Sequence, residues 1–314
     1  MIGTWRAAAS HPPCSKSKSL PGRIAQQMLA AARALALLAL PLYSVNARSI
    51  NWYLSAGNTE GNARLIATHG DVIQGAYLCC NFVSFTANGT FLPPPPSAAA
   101  DIAVLTGAAV EAWAVGGVAE AAVHSGAWAA GLDAAAAAAA VLLRQGLMGI
   151  LIDYEPVSNY SDAHAQAYGD FLGALSAAIA PLRVGMDIAG WGLLSAKFWP
   201  HYQGRGVSRF TSMTPTYDAT NVSANEAFVG QALAALPPGS YAAGIGSVLA
   251  GGKACEWDYK WTNDSLAPFV GFLGGSGVEF IDVWRCDIDA PYDKSAPDAT
   301  APFFIDALRA FVAA

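Results

Sequence analysis

Charged residues are scarce in this chain. Only 13% of its 314 residues are Asp, Glu, Lys or Arg, against 54% hydrophobic residues. That balance excludes an intrinsically disordered chain, and the length suffices for one barrel-sized domain. Acidic residues are missing altogether from residues 1–47. None of Cys79, Cys80, Cys255 and Cys286 forms a CxxC pair or has a His close by in sequence, which speaks against zinc bound through cysteine. No Gly-rich loop follows the first predicted strand: Gln74–Phe85 lacks one, which argues against a doubly wound nucleotide-binding sheet. Internal repeats and a second domain are also missing, and no cofactor or metal motif is present. His124, His164 and His201 are scattered along the chain and call for no explanation beyond packing.

What is present begins with a basic N-terminal segment. Residues 1–33 carry Arg6, Lys16, Lys18, Arg23 and Arg33, Leu35–Leu42 is a short apolar core, and Val45-Asn46-Ala47 fits a small-x-small cleavage site. This pattern predicts a secretory signal peptide over residues 1–47, with Met28 as an alternative start. Leu35–Leu42 is too short to span a bilayer, so no stable membrane insertion is expected after cleavage. Removing residues 1–47 takes five of the 17 basic residues and none of the 23 acidic ones, leaving 267 residues with a net charge of −11. Such a charge argues against nucleic acid and anionic membranes as partners. A secreted or secretory-lumen protein, monomeric, is expected. Four Asn-x-Ser/Thr triplets, at Asn88, Asn159, Asn221 and Asn263, fit glycosylation there.

The four remaining cysteines are an even number in an exported chain, which predicts disulfides. A bridge between the adjacent Cys79 and Cys80 would be strained, so crossed pairing with Cys255 and Cys286 is expected.

Past a lead-in at 48–71, apolar and helical segments alternate at barrel spacing over 72–314. The expected strands are Val72–Asn81, Ile102–Leu105, Val110–Val115, Gly149–Glu155, Arg183–Ala189, Phe210–Tyr217, Tyr241–Val248 and Val278–Arg285. Helices are expected over Ser125–Gln145, Asp162–Ala180, Asn225–Leu236 and Pro302–Val312. Eight strands alternating with helices predict an α/β fold, a single-domain TIM (β/α)8 barrel. The connection Leu249–Gly277 is too short for an inserted subdomain between strands seven and eight, which predicts an open cleft.

The chemistry centres on Gly149-Ile150-Leu151-Ile152-Asp153-Tyr154-Glu155-Pro156. An apolar run of this kind reads as a strand buried on both faces. Side chains alternate along it, so Asp153 and Glu155 point the same way, at the strand end where barrels keep their active sites. Asp187, Tyr217 with Asp218, Trp284, Trp113 and Trp191 fall at or just past other predicted strand ends, and Tyr77 lies on the first. Carboxylates suit acid catalysis on an acetal oxygen, and flat indoles suit the apolar faces of sugar rings.

Here the residues resemble glycoside hydrolase family 18, the chitinases and endo-β-N-acetylglucosaminidases. Met148–Glu155 resembles the family's DxxDxDxE pattern, with Met148 and Leu151 in place of the first two Asp. Met213-Thr214-Pro215-Thr216-Tyr217-Asp218 resembles its Met-x-Tyr-Asp motif with two extra residues, and Trp284 matches its strand-eight Trp. The resemblance implies a retaining reaction in which the substrate's N-acetyl group is the nucleophile, an exception to the two-carboxylate rule. It implies Glu155 as general acid, Asp153 orienting the acetamido group, Tyr217 bonding its oxygen, and Asp218 and Trp284 holding the sugar. The implied partner is an oligo- or polysaccharide containing N-acetylglucosamine, cut at β-1,4 bonds. Leu151 removes the deeper Asp that shares a proton with its neighbour above, leaving Asp153 fixed as the anion or held by another acid such as Asp187 or Asp282, so a shifted pH profile or low activity is expected. Two alternatives accompany this reading: a sugar-binding protein without turnover, and a glycosidase with Asp187 or Asp282 as true nucleophile.

Overall fold

The computed structural model describes residues 48–156, 160–213, 215–217, 219–248, 261–284 and 300–314 (Asn81 by its backbone). Eight parallel strands close into a barrel: β1 (Ser49–Ser55), β2 (Gly75–Phe85), β4 (Glu111–Val118), β5 (Leu147–Asp153), β6 (Arg183–Ile188), β7 (Val207–Ser212), β8 (Tyr241–Gly246) and β9 (Phe280–Trp284). Each pairs with its sequence neighbour, and β9 pairs with β1 to close the ring. The short β3 (Phe91–Leu92) folds back antiparallel on β2. Helices α1 (Thr59–His69), α2 (Ala98–Gly107), α3 (Glu120–Ser125), α4 (Leu132–Gln145), α5 (Asp162–Ile179), α6 (Val222–Ala235), α7 (Asn263–Gly275) and α8 (Pro302–Ala313) flank the strands. The expected TIM barrel is therefore the fold.

Two strand assignments change. The expected lead-in at 48–71 supplies β1 and α1, and the barrel starts at Ser49. Ile102–Leu105 is not a strand. It lies within α2, whose buried residues Ala98, Asp101, Ile102 and Leu105 recur at helical spacing. Smaller shifts follow. The expected helix Ser125–Gln145 is broken after α3 by Gly126 and a 3-10 turn at Ala127–Gly131. The sixth barrel strand ends at Ser212, so Tyr217 sits in a turn beyond it. Residues 1–47, Asp218, Asn159, Cys255 and Cys286 lie outside the described residues, as do 249–260 of the β8–β9 connection.

Strand parity builds two cores. Ile50, Trp52, Leu54, Ile150, Ile152, Ile281 and Val283 point outward against the helices. Tyr53, Tyr77, Cys79, Trp113, Val115 and Leu151 fill the barrel interior. Close packing is visible at Gly149, where an added Cβ would lie 2.4 Å from the Trp113 ring. Below the mouth the interior also holds a polar network. Asp282 accepts hydrogen bonds from Asn51 Nδ2 (2.5 Å), Thr211 Oγ1 (2.6 Å) and the Tyr77 hydroxyl (3.0 Å). Arg209 donates to the same Tyr77 hydroxyl at 3.1 Å and lies over the Trp113 ring, and Arg183 pairs with Glu111. Asp282 and Arg209, the buried charges of this network, are each hydrogen-bonded.

Cys79 is bonded to Cys80, across a cis peptide bond that sets their α-carbons 3.0 Å apart. Crossed pairing with Cys255 and Cys286 was expected instead, and those two residues lie outside the described residues.

Candidate active site

Parity and strand length bring the acids to the barrel mouth. Asp153 is the last residue of β5 and Glu155 follows two residues on, both facing inward above Leu151. Asp187 comes from the end of β6, Trp191 from the loop after it, Met213 and Tyr217 from the turn after β7, Trp284 from the end of β9 and Tyr53 from β1. Together these eight line a cavity of about 240 Å³. Asp153 and Glu155 also line a second hollow of about 350 Å³, with Ser84, Gly117 and Glu120 on its other walls. The acid pair is thus reached from two sides.

The aromatic walls are anchored. Trp284 runs nearly parallel to Tyr217, with ring centres 6.4 Å apart, and meets Tyr53 edge-on at 5.0 Å. The Tyr217 carbonyl accepts from Trp261 Nε1 (2.9 Å) and from the Gly246 amide (2.8 Å), which ties the turn to β8. Trp191 stands at the rim, 36% exposed. Flat apolar rings beside carboxylates make a site that accepts a sugar face and its polar edge together.

The three acids do not behave as ordinary surface carboxyls. Burial, then the charge of Glu155 and a hydrogen bond with it, pushes Asp153 up to about 7. Burial raises Glu155, and the hydrogen bond from Asp153 opposes that rise. The two titrate as a pair, and below neutral pH they hold a proton between them. Asp187 is raised well above the carboxylate range by burial and by the charges of Asp153, Glu155 and Asp282, with only Tyr53 opposing. That opposition is a hydrogen bond with the Tyr53 hydroxyl, and both groups line the cavity. Buried polar groups at a cavity wall are ones a ligand can engage.

Leu151 is completely buried and fills the layer below Asp153. It pairs in register with Gly185 on β6, where an added Cβ would come within 2.8 Å of the Leu151 side chain. No carboxylate lies in that position. Asp282, expected as a substitute or as a nucleophile, is corrected: it is fully buried and its hydrogen bonds are committed to Asn51, Tyr77 and Thr211. Among the described residues, Asp187 is the acid that lines the cavity with the pair.

Six residues named from sequence converge on the cavity: Asp153, Glu155, Asp187, Trp191, Tyr217 and Trp284. Two candidate sugar contacts do not. Trp113 is fully buried and in register with Gly149, four residues below Asp153, because β4 runs on to Val118 rather than ending near the indole. Tyr77 is fully buried, its hydroxyl held between Asp282 and Arg209. Both are interior packing, not substrate contacts. Tyr53 and Met213 line the cavity and were missed as site residues. Inward alternation along Ile50-Asn51-Trp52-Tyr53-Leu54 is the signal that could have found Tyr53, had β1 been recognised.

No protein-family model matches the chain, and no curated protein does. Solved structures match it at probability 1.00. A chitinase from Bacteroides thetaiotaomicron superposes with a TM-score of 0.63 at 13% identity, over 85% of this chain and 96% of that one. A family 18 chitinase from Pseudoalteromonas aurantia gives 0.55 at 11% identity, over 78% and 97%. An endo-β-N-acetylglucosaminidase from Cordyceps militaris gives 0.54 at 14%, over 90% and 95%. The chain has the fold of the family 18 glycoside hydrolases. The C-terminal strand ends form the mouth of the barrel, where TIM barrels place their active sites, and the cavity of Asp153, Glu155 and Asp187 lies there.

Proposed function

We propose that this protein hydrolyses β-1,4 glycosidic bonds at N-acetylglucosamine, in chitin oligomers or an N-glycan core, with retention of configuration. The observation that carries the reading is the placement of Asp153 and Glu155, both raised by burial, in a cavity walled by Tyr217, Trp191 and Trp284. Glu155, on the solvent side of the pair, gives its proton to the glycosidic oxygen as the bond to C1 breaks. The acetamido carbonyl oxygen of the same sugar attacks C1 and forms an oxazolinium ion. Asp153 accepts the acetamido N–H and offsets the positive charge, and the Tyr217 hydroxyl donates to the acetamido oxygen. Water then adds to C1 as the C1–oxygen bond of the oxazolinium breaks and Glu155 takes the water's proton, which restores both the N-acetyl group and the acid. Trp284 lies under the sugar whose bond breaks, and Asp218 is proposed to help hold it. The raised pKa of both acids suits this cycle, since a general acid works best with its pKa near the operating pH.

Leu151 favours a second reading, sugar binding without turnover on the same scaffold. Release of a fluorophore from chitobiose and chitotriose reporters, by wild type and Glu155→Gln, separates the two. Hydrolysis lost in the variant supports the enzyme. Binding of chitooligosaccharides by both proteins with hydrolysis by neither supports the lectin. Cleavage of glucosides lacking the N-acetyl group would overturn substrate assistance.

Export is proposed on the pattern of residues 1–47. Cleavage after Ala47 would leave β1, which starts at Ser49, whole. N-terminal sequencing of the secreted protein tests it.

A further inference from the structure

Beside the second hollow, which Glu120 lines, two helices bring three potential ligands together. Glu120 and His124 lie one helical turn apart on α3, and His164 is in the first turn of α5. Glu120 Oε1 and His124 Nε2 are 3.4 Å apart. The two imidazole rings face each other with centres 3.9 Å apart at 40°. One ligand atom from each of the three residues lies within 4.8 Å of the other two. His164 is buried, Glu120 half-buried and His124 exposed, so the cluster has a fixed inner side and an entry path from solvent.

We propose that Glu120, His124 and His164 bind a divalent d-block cation, zinc in its chemistry. Two imidazoles and one carboxylate suit zinc and its neighbours, whereas magnesium and calcium take all-oxygen shells. Metal–ligand bonds of about 2.0–2.1 Å in a tetrahedron place ligand atoms about 3.3 Å apart. The Glu120–His124 pair already has that separation, and the third ligand atom lies within 4.8 Å of both. Water would complete the shell from the exposed His124 side. The cation would not touch the glycosidic bond. It would brace the acid strand instead: the Tyr154 hydroxyl lies 2.6 Å from His164 Nε2, and Tyr154 stands between Asp153 and Glu155. Glu120 shares the hollow with both acids. His124 and His164, which the sequence reading left as ordinary packing, thereby acquire a shared role.

The test uses untagged full-length secreted protein, stripped with chelator and titrated with zinc by calorimetry and with cobalt(II) by visible absorption. The expected result is uptake of a single equivalent, cobalt bands of tetrahedral intensity, and no competition from magnesium or calcium. His124→Ala and Glu120→Gln, both outside the buried core, should each weaken uptake by more than the roughly 10–100-fold that loss of a supporting contact costs. Melting curves of both variants without metal check that they remain folded. Absence of stoichiometric uptake, octahedral cobalt spectra, or unchanged affinity in both variants would overturn the site.

Discussion

Replacing Asp153 by Asn should stabilise this protein at alkaline pH while abolishing the activity proposed for it. Burial, Glu155 and the shared hydrogen bond lift Asp153 from 3.8 to about 7. A carboxyl raised on folding binds its proton more tightly in the native state. Its contribution is therefore fully present below the unfolded value near 3.8 and is lost as pH rises through about 7. Three pH units of separation correspond to about 4 kcal/mol at most. Above pH 7 the wild type carries that cost and Asp153→Asn does not. Below pH 4 both are neutral there and the difference vanishes. At pH 5 the variant should gain about 1.5 kcal/mol, and at pH 8–9 about 4 kcal/mol. On a chain of this size the larger figure raises the melting temperature by roughly 10 °C. Urea denaturation at pH 4, 5, 7 and 9 reads it directly. A difference that stays constant across that range would refute the account, because only a titrating buried charge produces the slope. A variant less stable at pH 9 would show that ionised Asp153 is well solvated or paired. Greater stability with lost activity is the trade expected when a site holds a group against its preference.

Other outcomes follow from the same geometry. Activity on chitobiose reporters should decline as pH rises past about 7, where the Asp153–Glu155 pair, also facing Asp187, Tyr53 and Tyr217, gives up its shared proton; full activity at pH 9 would sink that assignment. Glu155→Gln should cut kcat by about 10²–10⁴-fold with oligosaccharide binding kept, as single-turnover and calorimetric measurements would register. Leu151→Asp places a carboxyl beneath Asp153, and the added like charge should move the alkaline limb of activity to higher pH; a limb that does not move would mean the deeper position is uncoupled from the pair. Trp284→Ala should weaken oligosaccharide binding about tenfold with little loss of stability, while Trp113→Ala should cost about 3–5 kcal/mol of stability. The reverse pattern would exchange the two roles drawn from their burial.

Much of the site was legible along the chain because strand parity is a local property. The apolar run Gly149–Ile152 ending in Asp153 and Glu155 specifies a buried strand, an inward face and a mouth, whatever surrounds it. The barrel was legible for the same reason, since alternating strands and helices leave few ways to bury both sets of apolar faces. Errors arose where an assignment depended on a partner. β1 alternates polar and apolar residues, and its inward Asn51 makes sense only beside Asp282 from β9. Ile102–Leu105 has a strand's composition, and only the face that α2 buries makes it helical. Trp113 lies near the end of a predicted strand, yet the register with Gly149 sets it deep in the interior. Asp282 carries the same parity as Trp284, and only its hydrogen bonds remove it from the chemistry.

The sequence by itself determined which acids face inward and at which end of the barrel, because alternation and strand length need no distant residue. Only the tertiary structure decided which inward groups share a cavity, how far burial and neighbouring charge raise their affinity for protons, and that His124 meets His164. Those are properties of distances between strands and helices, and they exist only once the ring has closed.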